Sequence, residues 1–316
     1  MRILIFGAGV IGSIFGGMLT KAGHDVTFCA RNARKSEIES RGLVLTNALT
    51  GEETVLNPRV TDRVTGEFDL VLVAIRKAQI DAALPQLRTI YATTSILFMV
   101  NCPLEVGHLL ETLGPSRTYF AFPGAGGTHD GARIRYALVG QQKSTFGPVR
   151  DQPDRRLRDL AALFSDAGFE TVNVSDMEAW LLTHAVLITS ICGALYRNGA
   201  SSAALAKDKV ALTDILKGLT EGLAVISALG FTPSPLKLRL LSRVPYVFGK
   251  LILSRLFASH FAEFAIDGHA NAAPDDMQEL SMDCRTMVRR SGIAAPVLLQ
   301  LCDEVDAFGK RSRSTE

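Results

Sequence analysis

The chain lacks the usual marks of several protein classes. Its five cysteines (Cys29, Cys102, Cys192, Cys284 and Cys302) are odd in number, scattered and never spaced as CxxC. That excludes a disulfide framework and reads as reduced, buried thiols in a cytoplasmic protein. No histidine and cysteine stand at ligand spacing, so no metal site is expected. The hydrolase signature GxSxG is missing, and no nucleophile arrangement replaces it. With 34 basic and 32 acidic residues the net charge is +2, which gives no bulk electrostatic reason to bind nucleic acid or a membrane. The apolar run Ala185–Leu195 is too short to span a bilayer. The N-terminal run has one basic residue before it, is broken by glycines and precedes no A-x-A site, which argues against a signal peptide. Internal repeats and low-complexity linkers are also missing.

What is present is a folded pattern. Apolar residues make up 47% of the 316 and charged residues 21%, and this length implies two domains. Residues 2–6 (RILIF), 25–30 (DVTFCA), 69–75 (DLVLVAI) and 95–100 (SILFMV) read as strands, the last two as buried parallel ones. Helical spacing fills the intervals, at Val10–Leu19 and Leu104–Leu113. Alternating strands and helices predict an α/β Rossmann domain with a mostly parallel sheet. The stretch from Thr118 to Pro148 is rich in glycine and strand formers, and shorter strands, some antiparallel, are expected there. A helix at 155–167 and a strand at 170–174 close the first domain. Beyond Asp176 the pattern is helical: Met177–Tyr196 is apolar nearly all round, and Ser201–Leu229 and Asp275–Arg290 are amphipathic. The expected layout is a Rossmann domain over 1–174, an all-α substrate or dimerisation domain over 175–308, and a flexible polar tail over 309–316.

The opening MRILIFGAGVIGSIFGG holds Gly7-Ala8-Gly9-Val10-Ile11-Gly12, a GxGxxG between a predicted strand and a predicted helix. Gly7 permits the turn, Gly9 lets a pyrophosphate approach the backbone, and Gly12 lets helix and sheet pack closely. The helix N-terminus then offers free N–H groups to phosphate. At the end of the second strand NAD-binding chains usually carry an acid for the ribose 2′-hydroxyl. Here the run is Cys29-Ala30-Arg31-Asn32-Ala33-Arg34-Lys35, with no acid before Glu37. Arg31 can pair with a 2′-phosphate, and Arg34 or Lys35 can add charge, so the cofactor expected is NADP(H). A solvated basic turn is the alternative.

Several segments in order resemble the ketopantoate reductase family. They are the glycine loop, GHDVTFCAR (23–31), LVLVAIRKAQ (70–79), Asn101 just after the fifth strand, GARIRYALVGQQKSTFGP (131–148) and SGIAAP (291–296). The resemblance implies a Rossmann domain, a helical C-terminal domain, a cleft between them, and NADPH-dependent reduction of a 2-oxo acid. Carried onto this sequence, it makes Arg76 the cation near the cofactor, with Lys77 as a substitute. It places Asn101 at the nicotinamide ribose and Asp276 as a residue that bonds substrate or orients a proton donor. Helix capping would equally explain Asp275 and Asp276 beside Pro274. Gly127, in the glycine-rich run after Phe122, joins the cofactor-binding set.

The resemblance fails at the family's catalytic lysine. That position falls on Thr183 or Leu182, and no lysine occurs between Lys143 and Lys207. The family's asparagines one and two turns later become Leu187 and Ile191. His184 is the expected proton donor, since its ordinary pKa suits transfer near neutrality. It shares a helix face with Trp180, four residues before. A core histidine with one hydrogen bond is the alternative. Thr183 can bond a substrate but is a poor acid, and His269 is a weaker candidate donor. Trp180, Thr183 and Leu187 are the expected substrate-lining residues.

The function these features imply is an NADPH-dependent reductase of a carbonyl compound more apolar or bulkier than ketopantoate. An imine is a variant substrate, since it can arrive protonated. The reading from another class is an NADP-binding sensor without turnover. The partner expected is a small carbonyl molecule, with no nucleic acid and no membrane. A homodimer stays open, because Val244–Phe257 would serve as a dimer face or as buried core.

Overall fold

The computed structural model describes residues 1–138, 143–150, 152, 154–259, 262 and 273–313, without the side chains of 154, 312 and 313. The chain divides into two compact units, Met1–Met177 and Glu178–Glu316.

In the first unit the order is β1 (Arg2–Phe6), α1 (Val10–Lys21), β2 (Asp25–Cys29), α2 (Asn32–Arg41), β3 (Leu43–Asn47), β4 (Glu53–Leu56), β5 (Arg59–Thr61) and β6 (Leu70–Val73). There follow α3 (Ile80–Leu87), β7 (Ser95–Phe98), α4 (Val106–Leu113), β8 (Thr118–Phe122), β9 (Ala125–Asp130), β10 (Arg133–Leu138), β11 (Ser144–Gly147), α5 (Asp154–Asp166) and β12 (Thr171–Asn173). Eight strands form one sheet in the order β12-β11-β8-β7-β6-β1-β2-β5. All neighbours pair in parallel except β8 and β11. β6 and β7 are buried at every position, which is why they read as unbroken apolar runs. β6 is shorter than the run 69–75, because Ala74 and Ile75 leave the sheet to pack beneath Gly7.

Register sets the site. Phe6 pairs with Cys29 and with Val73, and Val73 pairs with Phe98. The chain therefore leaves β1, β2, β6 and β7 at one level, at the carboxyl edge where open α/β sheets bind ligands.

A second sheet, β4-β3-β10-β9, lies against α1. Strands β3 to β5 and helix α2 are not among the elements expected from the sequence; β4 has no buried residue and β5 is three residues long. On the other side an aromatic cluster fixes α1. Phe15 stacks on Phe169 with centroids 4.1 Å apart and meets Phe164 edge-on at 5.7 Å, a geometry that favours aromatic pairs beyond their buried area.

The second unit is helical, with no strand among its described residues: α6 (Met177–Arg197), α7 (Ser202–Leu205), α8 (Lys209–Ala228), α9 (Leu236–Leu241), α10 (Tyr246–Phe257), α11 (Pro274–Ser291) and α12 (Pro296–Arg313). At 21 residues α6 extends well beyond Ala185–Leu195 and is long and apolar enough to cross a membrane, but most of it is buried inside the protein. The tail expected from residue 309 is helical through Arg313, since α12 is anchored by Phe308 stacking on Tyr196 at 3.9 Å. The stretch Ser201–Leu229 is two helices. Asp208 ends the first and caps the second, accepting from the N–H groups of Val210 and Ala211 at 2.9 and 3.0 Å.

Those backbone hydrogen bonds, led by Ala211, hold the Asp208 carboxyl below its ordinary value of 3.8. A depressed carboxylate contributes stability that is present above its unfolded pKa and lost as pH falls through the folded one. Asp208→Ala is expected to cost about 1 kcal/mol at neutral pH, measured by urea unfolding. The difference from the parent should shrink once the buffer falls below the ordinary carboxylate range.

Candidate active site

The glycine loop joins β1 to α1. Gly7 sits at φ +107°, where side chains are strained, and a Cβ on it would lie 2.6 Å from the Ala74 carbonyl. A Cβ on Gly12 would lie 1.9 Å from the Gly7 carbonyl oxygen, so helix and loop meet backbone to backbone. Gly9 differs: it is exposed, its φ is −73°, and a Cβ there would meet nothing within 4 Å. The fold itself does not require glycine at position 9, so the space beside it is room for a ligand. Gly9 is the N-cap of α1, no side chain caps the helix, and no acid lies in its first turn. The first N–H groups of α1 are left for an anion. Ala8 and Ser13 complete the loop, the Ser13 hydroxyl donating to the Ala8 carbonyl at 3.2 Å. This cradle suits a dinucleotide pyrophosphate.

The basic turn after β2 resolves into different roles. Arg34 Nε donates to the Ala8 carbonyl at 3.0 Å, its guanidinium donates to Ser13 Oγ at 3.1 Å, and it is paired with Glu37. Arg34 is thus a brace for the glycine loop, not the added cofactor charge expected of it. Lys35 is likewise engaged, 2.6 Å from Glu39. Arg31 is exposed, its side chain makes no hydrogen bond or ion pair among the described residues, and it stands as the N-cap of α2 at the sheet edge. A feature missed by the sequence reading is Asp62. Cys29 pairs with Thr61, and Asp62 follows it. This exposed carboxylate acts electrostatically on Cys29, where it raises the thiol pKa after burial, the larger cause. No linear motif marks it, because β5 reaches β2 only in the folded sheet.

Where the chain leaves β6 and β7, Arg76 is exposed and its backbone N–H donates to Gln79 Oε1 at 3.1 Å. Lys77 is the half-buried cation, with Nζ 3.2 Å from the Glu105 carboxylate. Asn101 Oδ1 and the second Glu105 oxygen are both buried without a hydrogen-bond partner. Polar atoms in that state are costly and call for a partner. Glu105 was also missed, although an acid four residues after Asn101 was visible. Gly127 is a correction: it lies in β9, where a Cβ would be 2.5 Å from the Arg135 carbonyl. Close packing in the second sheet, not a cofactor, accounts for that glycine.

On α6, Trp180 and His184 stack with centroids 4.9 Å apart and planes 9° from parallel. Trp180, His184, Leu187, Ile188 and Ile191 recur at helical spacing, and His184, Leu187 and Ile188 are only half-buried. Thr183 is a second correction. It is fully buried, its hydroxyl donates to the Ala179 carbonyl at 2.7 Å, and it accepts from the Ser234 N–H at 3.1 Å, which commits it to the fold. Asp276 is half-buried in the first turn of α11, behind Pro274, a place where a carboxylate complements the helix dipole. His269 lies outside the described residues. No cluster of three metal-ligating side chains occurs among the described residues.

Residues 3–151 match the ketopantoate reductase PanE/ApbA family. The chain is 27% identical to a 2-dehydropantoate 2-reductase of Pyrococcus abyssi over 60% of its own length and 62% of the relative's. It is 27% identical to a Pyrococcus horikoshii protein of the same description over 63% of itself and 66% of that protein. It therefore spans just under two thirds of these curated relatives. Solved structures match more of it. A 2-dehydropantoate 2-reductase from Geobacter metallireducens superposes with a TM-score of 0.77 at 18% identity, covering 97% of this chain and 99% of the other. D-mandelate dehydrogenase with NADH and anilino(oxo)acetate gives 0.77 at 18% identity, covering 99% and 100%. At that identity the likeness is one of fold.

Two glycine variants separate cradle from scaffold. Gly12→Ala is expected to destabilise by about 1–3 kcal/mol through overpacking, read in thermal unfolding. Gly9→Ala should leave unfolding within about 0.5 kcal/mol of the parent while weakening dinucleotide binding about tenfold or more through lost hydrogen bonds to phosphate, read by calorimetry.

Proposed function

We propose, from the match of residues 3–151 to the ketopantoate reductase PanE/ApbA family, that this protein is an oxidoreductase that uses NADPH to reduce a carbonyl compound. The observation that carries the reading is the uncapped helix beside Gly9, open to a ligand and flanked by the uncommitted Arg31. When bound, NADPH supplies the hydride for the carbonyl carbon. The N–H groups of α1 hold the pyrophosphate, and Arg31 pairs with the 2′-phosphate in the two-pronged manner of a guanidinium. The Asn101 amide, with its buried unpartnered oxygen, holds the nicotinamide ribose.

The substrate's oxygen gains negative charge as its carbon is reduced, so a proton must be delivered there. His184 is the donor, and the stacked Trp180 indole fixes its ring plane. Leu187, Ile191 and Trp180, where the family resemblance would put a polar grip on a small acid, favour an apolar or bulky substituent. Asp276 bonds the substrate or orients the donor. The lack of any lysine from 144 to 206 also favours a second reading, in which the protein binds NADP as a sensor and turns nothing over. An imine, already protonated, is the substrate that dispenses with a donor.

The test is NADPH oxidation, followed at the nicotinamide band, against ketopantoate, aryl 2-oxo acids, apolar ketones and imines. Aryl 2-oxo acids join the panel because a structural relative was solved with anilino(oxo)acetate. Turnover of a bulkier carbonyl is expected, and His184→Ala should lower it about 10²–10⁴-fold with NADPH affinity unchanged. Tight NADPH binding with no turnover across the panel would favour the sensor.

Arg31→Ala is expected to weaken NADPH binding about tenfold to a hundredfold, the worth of a charge-assisted pair, and to leave NADH binding nearly unchanged. Asp62→Ala should act the opposite way and tighten NADPH, because a carboxylate beside the turn repels the 2′-phosphate. Equal losses for both cofactors in Arg31→Ala, by fluorescence titration, would remove Arg31 from cofactor choice.

A further inference from the structure

Helix α10 is packed by one face only. Gly249, Leu253 and Phe257 recur at i, i+4 and i+8 and are buried. A Cβ on Gly249 would sit 2.7 Å from Leu216 of α8, and the Ser254 hydroxyl donates to the Ala206 carbonyl at 2.8 Å. These contacts fix the helix rotation, so the opposite face is held outward. That face carries Val247, Phe248, Leu251, Ile252 and Leu256, each between 38% and 70% exposed. The preceding helix α9 adds Leu236 and Leu240, both more than half exposed. A lone exposed leucine is ordinary, but so many on two consecutive helices mark an interaction surface.

Charge decides what the surface fits. Between Glu221 and Glu263 the sequence has no aspartate or glutamate, yet it holds Lys237, Arg239, Arg243, Lys250 and Arg255. Their side chains make no ion pair or hydrogen bond among the described residues, although the chain as a whole is almost neutral. A second copy would meet this surface through itself, because a twofold interface sets the same patch against its image. Arg255 lies in the middle of the exposed arc of α10, so such a contact would bury it against a patch with no carboxylate among the described residues of α9 and α10, an arrangement that costs rather than stabilises. An anionic lipid surface meets both halves of the pattern. Apolar side chains enter the headgroup boundary, and the long Lys and Arg side chains reach phosphate.

We propose that α9 and α10 form an interfacial patch that docks the protein, without spanning, on an anionic membrane surface. Whole-chain charge argued against a membrane, and the local distribution overrides it, since an electrostatic field acts within about a Debye length of 8–10 Å. The proposal is independent of the reaction and of the cofactor.

The experiment is cosedimentation of the full chain with vesicles of equimolar phosphatidylcholine and phosphatidylglycerol, or of phosphatidylcholine alone. Binding is expected on the anionic vesicles, about tenfold or more weaker on the neutral ones, and weakened by salt. The doubly substituted Leu251→Ser, Ile252→Ser chain should lose binding. So should the Lys237→Gln, Arg243→Gln, Arg255→Gln chain, which keeps the apolar face. Leu49→Ser, at an exposed leucine of the first unit, should bind like the parent. All variants alter exposed positions, and matched circular dichroism melts check that they fold. The proposal is overturned if the parent ignores anionic vesicles at low salt, or if the serine variant binds them equally well. It is also overturned if sedimentation velocity finds a dimer that the serine variant dissolves, for then a second copy occupies the face.

Discussion

The contact between the Gly7 carbonyl and Gly12, with no room for even a methyl between them, is the constraint on which the nucleotide site rests. It seats the first turn of α1 on the end of β1 and so aims the helix N-terminus along the carboxyl edge of the sheet. Everything around it keeps that aim. The phenylalanine cluster holds the far side of α1, the second sheet covers another, and Arg34 ties α2 to Ala8 and Ser13. The cost of leaving N–H groups uncapped is tolerable only because the site is open to water and to anions. A site of this kind is a backbone site, and its side chains work mainly as supports.

That division explains how the charged turn behaves. Three cations follow β2 in the sequence and look equivalent there. Folding spends two of them, one on the loop itself and one on a surface pair with Glu39. Arg31 remains because it caps α2 at the point where the chain leaves the sheet. One guanidinium of the turn is thus left without a side-chain partner among the described residues, and a carboxylate arrives beside the same strand end from β5.

The Rossmann order and the glycine loop were legible because their signals are local. Buried parallel strands are apolar runs, and the three loop glycines stand together in one six-residue motif. The second sheet was less so, since β3 and β4 are short and become a sheet only by pairing with β10, some ninety residues away. Asp62 and Glu105 were overlooked for a related reason: register and loop packing, not sequence spacing, bring them to the site. Gly127 and Thr183 show the converse error. Both lie in segments that the family resemblance marks as functional, and both are accounted for by contacts within their own domain. The polar tail misled by composition, because Phe308 anchors a helix whose last turns are otherwise charged.

The loss of the lysine acquires a physical meaning from its surroundings. Thr183, where one register places it, is sealed in the interior and bonded twice. An ammonium at that point would have to leave water with no carboxylate shown beside it, at a cost of several kcal/mol. The buried face of the helix is packed around the Thr183 hydroxyl, with both of its hydrogen bonds made inside the fold. One position on, the chain leaves the interior at a half-buried His184 lying flat on an indole. A proton donor moved by one residue on a helix turns by about 100°, so the group it serves must approach from a different direction. The apolar residues that follow at i+3, i+4 and i+7 from His184 lie in that new direction. In the proposed function, the choice of His184 as donor and the apolar substrate both rest on this one turn of the helix.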